Sequence, residues 1–488
     1  MKNRVFWPLL LLVASFLRVW QITAALWYDE AFSALLAGLP VANIIQAAAG
    51  DVHPPTYYLL LAAVGSVAGT GELAMRLPSL LAGLLLIPAV YRLALAVGAP
   101  TNTARAAAII TALAPFQIHY SIEARSYALL TLATVLAALG LAERRYWLAV
   151  VASLAALYLH NTAVLFLAPL WLISFRNTRR HWLAGVLVAL GYLPGLWWAV
   201  DQAGHISGNY WIPPAPNLVG RLGSIFDDML WFAAGSPFVF GSGVVTALLL
   251  VLVATNSRWL ITHGYHLPLA AVAGPALLLT VASIAWQPLM ISRIMAPATP
   301  FYYTLLALVG TRTPRRTVAL AGLAAPVLLA TYAGLFTWQL GRAPVDHSQA
   351  AALRQYDAIY HSSVGGAVLW AYYLPDVPQY MRPQRGVDLN QTLSAATRAA
   401  IGLNEIDYSL IKCSTHILPT GPRPLRRWAF VYFHNPITNI DEIEYVSHML
   451  QSYPNTEIDV LRDDPTVHAA LHSLTPECDH ATVYHRNN

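Results

Sequence analysis

Only nine of the chain's 24 carboxylates fall in residues 1 to 338, and the other fifteen crowd into the last 150. A stretch so long and so poor in acids cannot present the surface of a water-soluble fold, in which roughly 25% of residues are charged. Here the figure is 11%, against 57% hydrophobic and a mean hydropathy of +0.51. The contrast predicts a polytopic α-helical membrane region followed by a soluble tail, and it excludes an ordinary cytoplasmic enzyme. The formal charge of +5 is no nucleic-acid signature. No basic run is interleaved with aromatics, and most arginines sit in short loops between apolar stretches, where they set topology.

The first apolar stretch, Val5 to Ala25, follows Lys2 and Arg4. A signal peptide cleaved near Thr23-Ala24-Ala25 is one reading. An uncleaved anchor is preferred, because the stretch reaches the roughly 20 residues that a hydrocarbon core requires. Further spans are expected at about 74–97, 104–120, 126–142, 146–160, 162–175, 182–200, 236–255, 267–286, 294–310 and 317–338, making eleven crossings. That count puts the N-terminus inside with Arg92, Arg105, Glu143-Arg144-Arg145, Arg176 with Arg179-Arg180, Arg258, and Arg312 with Arg315-Arg316, as the positive-inside rule requires. Between the arginine clusters around 146–175 there is room for two short helices meeting near His160-Asn161, which are tolerated where they line a protein cavity.

The chain thus divides into a membrane module, 1–338, and a small extracytoplasmic α/β domain, 339–488. The first outer loop, about 26–74, is expected to hold juxtamembrane helices. In the tail, helix patterns run over Asp346–His361 and Asp441–Tyr453, and strand-like runs over Ala367–Tyr373 and Trp428–Phe433. Cys413 and Cys478 both lie there, and spacing alone does not separate one disulfide from two free thiols. No internal repeat is visible.

On this topology eight of the nine membrane-half carboxylates face outward, where an acid costs nothing as a solvated loop residue. Several have a different setting. Asp29 and Glu30 stand among Trp27, Tyr28 and Phe32 directly beyond the first span, a desolvating environment suited to acid–base work. Asp51-Val52-His53-Pro54-Pro55 opens a helix pattern at Thr56, so that an acid and a histidine are presented at its mouth. Arg76 ends the second span, where it either snorkels or acts. Beyond the third span come Tyr120, Glu123 and Arg125, and further on Arg293. Outer arginines break the loop bias, and a guanidinium there suits a phosphate.

The order Asp29-Glu30, Asp51-Val52-His53-Pro54-Pro55, Arg76 resembles the first luminal loop of protein O-mannosyltransferases. Trp27 through Tyr127, with Glu123-Ala124-Arg125 and the later Arg293, Pro297 and Pro300, looks still more like the bacterial family 39 glycosyltransferases. These are relatives of the lipid A aminoarabinose transferase within the C-type glycosyltransferase superfamily. The resemblance is strong over roughly residues 20 to 175, weaker to about 310 and absent in the tail. It implies transfer of a hexosyl or pentosyl group from a polyprenyl-phosphate sugar to a lipid, glycan or protein acceptor, with inversion, at the outer face of the bacterial inner membrane. By the same resemblance Asp29 is the base, and Glu30 and His53 position acceptor or sugar. Arg293 holds the donor phosphate, while Arg76 and Arg125 order the loop or assist it. Asp51, Tyr120, Glu123 and His160 complete the expected substrate-binding set. Thr56-Tyr57-Tyr58 departs from the Leu-Gly-Lys-like continuation of the mannosyltransferases, so protein-hydroxyl mannosylation does not follow.

A transporter or lipid flippase is the competing class, since charges inside polytopic proteins also mark transport paths. Against it, the charges gather on one face and the halves show no repeat. A bare membrane anchor for the tail leaves the outer arginines and the acid pair unexplained. A divalent metal is left open: Asp29, Glu30, Asp51, His53 and His160 offer ligand atoms, though in no recognised spacing.

Overall fold

The computed structural model describes residues 3–20, 22–175, 178–209, 215–234, 242–314, 350–351, 353–354, 358–361, 364–381, 395–405, 428–431, 459–464, 467–474 and 481–483. Within these the helices are α1 (Asn3–Val19), α2 (Tyr28–Ala37), α3 (Val41–Ala49), α4 (Thr56–Ala68), α5 (Glu72–Ala96), α6 (Thr101–Leu113), α7 (Pro115–Ser121), α8 (Tyr127–Ala142), α9 (Tyr146–Leu159) and α10 (Ala163–Ile173). They continue with α11 (Arg179–Asn209), α12 (Leu218–Ala234), α13 (Ser242–Thr255), α14 (Ser257–Thr262), α15 (His266–Ala285), a 3₁₀ turn (Ser292–Ala298), α16 (Thr299–Arg312), α17 (Val364–Tyr373) and α18 (Ala395–Ala400). The strands are β1 (Ala358–His361), β2 (Gln379–Met381), β3 (Leu403–Glu405), β4 (Trp428–Val431), β5 (Asp459–Asp464), β6 (Val467–Leu474) and β7 (Ala481–Val483). Two compact units result. One comprises Met1–Thr23, Val52–Leu60 and Leu73–Trp338; the other comprises Ala24–Asp51, Leu61–Glu72 and Gln339–Asn488.

The first unit is helical. Four of the described stretches, Glu72–Ala96, Arg179–Gly204, His266–Ala285 and Ser292–Arg312, are long and apolar enough to cross a membrane, and Thr56–Ala68, Tyr127–Ala142, Tyr146–Leu159 and Ala163–Ile173 are shorter apolar helices. Several expected spans are broken by proline. The stretch 104–120 divides at Ala114, which is extended, and resumes with Pro115 in the first turn of α7. The stretch 294–310 begins as the 3₁₀ turn around Pro297 and becomes α-helical at Thr299. Interior prolines at Pro78 and Pro88 of α5 are tolerated, because neighbouring helices re-satisfy the freed backbone groups. The expected span 317–338 lies outside the described residues.

Small side chains let these helices approach closely, the usual basis of packing in lipid. α8 and α9 form a hairpin in which a Cβ placed on Gly140 would sit 2.9 Å from the Cα of Ala149. Its turn uses Arg144 in the left-handed region, φ 58°. Beside it Glu143 accepts the Nε–H of Arg92 (2.6 Å) and faces Arg145 (3.1 Å). Both arginine side chains are more than half exposed, so each pair contributes roughly 0–1 kcal/mol. The apolar core therefore carries the packing. It joins α5, α6, α8 and α16 through Leu86, Val90, Ala107, Val135, Phe301 and Leu305.

The second unit contains α2, α3 and the tail. Its sheet runs β3-β2-β1-β4-β6-β5, with β7 also on β6. β1 pairs in parallel with β2 and β4, and β2 with β3. β6 is antiparallel to β4, β5 and β7. Two tail expectations are corrected. Ala358–His361, expected to end a helix, is β1, and Ala367–Tyr373, expected as a strand, lies in α17. A parallel pair such as β1 and β2 needs a crossover between its members, and α17 is that crossover. The run Trp428–Phe433 does hold β4, whereas Asp441–Tyr453, Cys413 and Cys478 lie outside the described residues.

Candidate active site

In the first unit, α8 starts just after Arg125, and α9 ends at His160, which is extended. This brings His53, Arg125 and His160 together. Arg125 Nη2 lies 2.7 Å from His53 Nε2, and because a guanidinium only donates, His53 Nε2 accepts and its proton resides on Nδ1. Thr162 N–H donates to His160 Nδ1 at 3.2 Å, which places that ring's proton on Nε2. His53 Nδ1 and His160 Nε2 are both buried without a hydrogen-bond partner among the described residues. The rings lie 4.9 Å apart, and Arg293 is within electrostatic reach of both. Desolvation, then the charge of Arg125, holds the His53 imidazole well below its usual pKa. The cluster is therefore two cations and two neutral imidazole N–H donors.

Side chains absent from the sequence-based set hold this arrangement. Asn161 Nδ2 donates to the Val52 carbonyl (3.1 Å) and to Gln202 Oε1 (2.7 Å), and Gln202 Nε2 donates to the His53 carbonyl (3.0 Å). Tyr120 reaches the cluster through Tyr127, at ring distances of 5.3 Å to Tyr127 and then 5.7 Å to His160. Asp228, on α12, accepts the Ser292 N–H at 3.1 Å, one residue before Arg293. Desolvation pushes its carboxyl up to about 6. Arg76 is buried and donates to the Ile22 carbonyl at 2.8 Å. Glu123 is buried and faces His119 Nε2 at 3.5 Å.

In the second unit, α2 begins after the extended Trp27. Glu30, fully buried, accepts the Trp27 N–H at 3.2 Å. A carboxylate so placed satisfies an orphan donor and sits at the positive end of the helix dipole. Asp29 is part-exposed, and its carbonyl accepts the Ser33 hydroxyl at 2.8 Å. Asp51 is buried at the end of α3, its N–H donating to the Ala48 carbonyl at 3.2 Å. Among the described residues no three His, Cys, Asp or Glu side chains are grouped to hold a metal ion.

Residues 52–199 match the model of the family described as dolichyl-phosphate-mannose-protein mannosyltransferase. No curated protein matches the sequence. Among solved structures the chain is similar to ArnT from Cupriavidus metallidurans in the apo state, with a TM-score of 0.62 at 14% identity, covering 96% of this chain and 97% of that one. The same protein bound to undecaprenyl phosphate aligns with a TM-score of 0.58 over the same shares. The family match is thus confined to residues 52–199, while the fold is shared with ArnT along nearly the whole length of the chain.

Proposed function

We propose that this protein moves a sugar from a polyprenyl-phosphate donor to a lipid, glycan or protein acceptor at the extracytoplasmic face of the bacterial inner membrane. The observation that carries this reading is the convergence of Arg125, the buried N–H groups of His53 and His160, and the nearby charge of Arg293. Such a set matches a phosphodiester or a fully ionised phosphate monoester, which has acceptors only. The fold shared with a protein solved with undecaprenyl phosphate supports the same donor class, and it disfavours a transporter.

In the proposed reaction the acceptor hydroxyl gives its proton to the Asp29 carboxylate as its oxygen bonds to the anomeric carbon. The bond from that carbon to the phosphate oxygen breaks, and polyprenyl phosphate leaves with the electron pair. Arg293 and Arg125 stabilise the departing charge, and the imidazole donors orient it. A single displacement inverts the anomeric centre, whether the sugar is a hexose or a pentose. Glu30 holds the start of α2 so that Asp29 faces the acceptor, while Asp51, Tyr120 and Glu123 shape the binding region. Topologically the reading takes eleven crossings, the N-terminus inside, and residues 339–488 as an outer α/β domain.

The test is release of undecaprenyl phosphate by purified, monodisperse protein given a panel of labelled undecaprenyl-phosphate hexoses and pentoses with membrane lipid extract as acceptor source. Label should move to a lipid, glycan or protein fraction in step with release. Failure with every sugar, together with undetectable binding of undecaprenyl phosphate, would overturn the donor class.

A further inference from the structure

Helix α17 packs against α2, and α18 against α3, within the second unit. At the end of α17 two adjacent tyrosines make separate attachments. The Tyr373 hydroxyl accepts the Leu26 N–H at 2.7 Å and donates to Glu72 Oε1 at 3.2 Å. The Tyr372 hydroxyl donates to the Thr70 carbonyl at 2.6 Å. Thr397, on α18, donates to the Ala47 carbonyl in α3 at 3.1 Å. Leu26 is fully buried and immediately precedes Trp27, whose N–H is the one that Glu30 holds. Two successive backbone N–H groups at the entrance of α2 are thus fixed, one by the helix's own Glu30 and the other by the tail.

We propose that Tyr373 is a positioning residue for the acidic helix, so that a working part of the soluble tail is to hold the entrance of α2 and thereby aim Asp29. This rests on the reading of Asp29 as the base. The chemistry suits a fixed attachment. A phenol serving as acceptor and donor at once has both bonds directed, and burial pushes the Tyr373 pKa up, so that the hydroxyl keeps its proton at physiological pH. Glu72, the first residue of α5, orients the phenol so that its lone pairs face Leu26. A general base must sit within hydrogen-bond reach of the hydroxyl it serves, and displacement of about 1 Å costs on the order of 10²-fold.

Adjacent substitutions on α17 separate positioning from simple structural support. Tyr373→Phe and Tyr372→Phe each remove one hydroxyl from the same helix and keep the ring. In hydrogen–deuterium exchange, Tyr373→Phe should speed exchange over residues 26–37 by about 2- to 12-fold, the equivalent of one net hydrogen bond of roughly 0.5–1.5 kcal/mol. Tyr372→Phe should leave that segment as in the wild type. In turnover with the undecaprenyl-phosphate sugar that the panel identifies, Tyr373→Phe should lower kcat by about 10- to 100-fold with unchanged affinity for undecaprenyl phosphate. Tyr372→Phe should turn over normally. Equal exchange in Tyr373→Phe and wild type, or equal losses in the two variants, would overturn the positioning role. Asp29→Asn run in parallel keeps the two ideas apart: a normal rate there removes the base, whereas a normal rate in Tyr373→Phe removes the positioning role whatever Asp29→Asn does.

Discussion

At the scale of single residues, Asp228 illustrates how a site trades stability for placement. Its carboxyl is held up at about 6, chiefly by desolvation and against the Ser292 N–H that favours its charge. A folded pKa above the unfolded value of 3.8 means that the folded state binds the proton more tightly between those two values, so stability falls as pH rises through that window. Asp228→Asn keeps an oxygen for Ser292 and removes the titration. Thermal melts in detergent should therefore show the variant gaining on the wild type from pH 4 to pH 7, with the difference closing again in acid; a difference independent of pH would remove Asp228 from this account. Asp29→Asn keeps shape but cannot take a proton. Single-turnover transfer should fall by roughly 10²- to 10⁴-fold with binding of undecaprenyl phosphate intact. Because Glu30 caps α2, Glu30→Ala should instead show as lost stability, about 0.5–2 kcal/mol, with a smaller loss of rate than Asp29→Asn. A reversed ranking of rates would exchange the two roles.

At the scale of elements, what could be read from the sequence depended on how local the cause was. The break near His160-Asn161 was legible because too few residues separate two arginine clusters for two full spans, and the structure has α9 and α10 at 14 and 11 residues. His53, His160, Arg125 and Arg293 were legible as polar residues set in an apolar chain. Gln202 and Asp228 were not, since their partners His53 and Ser292 lie 149 and 64 residues away, and nothing in their own neighbourhoods marks them. Nor was α17, whose ten-residue apolar run fits strand or helix by periodicity and was decided by the parallel pairing of β1 with β2. The α8–α9 hairpin has a local cause by contrast, the missing side chain at Gly140, against which Ala149 packs. Gly140→Ala should destabilise the protein by about 1–3 kcal/mol, the usual cost of overpacking, read as a lower Tm. An unchanged Tm would show that the two helices can separate freely.

At the scale of the whole molecule, the proposed topology makes a direct prediction. Alkaline phosphatase, active only outside the cytoplasm, should be active when fused after residue 345, and a cytoplasm-dependent fluorescent reporter should be dark there; the opposite pattern would put the tail, and the site reading with it, on the wrong side. The attachment of Leu26 to Tyr373 spans 347 residues of sequence, and that separation is also a delay. At about 5–20 residues per second, the ribosome makes the tyrosine roughly 17–70 s after the backbone amide it will hold. On the proposed topology, the nascent chain has throughout that interval exported its acidic helix but not the clasp that steadies it. On the proposed role of Tyr373, each copy is therefore born idle and acquires its activity only once the segment that carries this tyrosine is delivered.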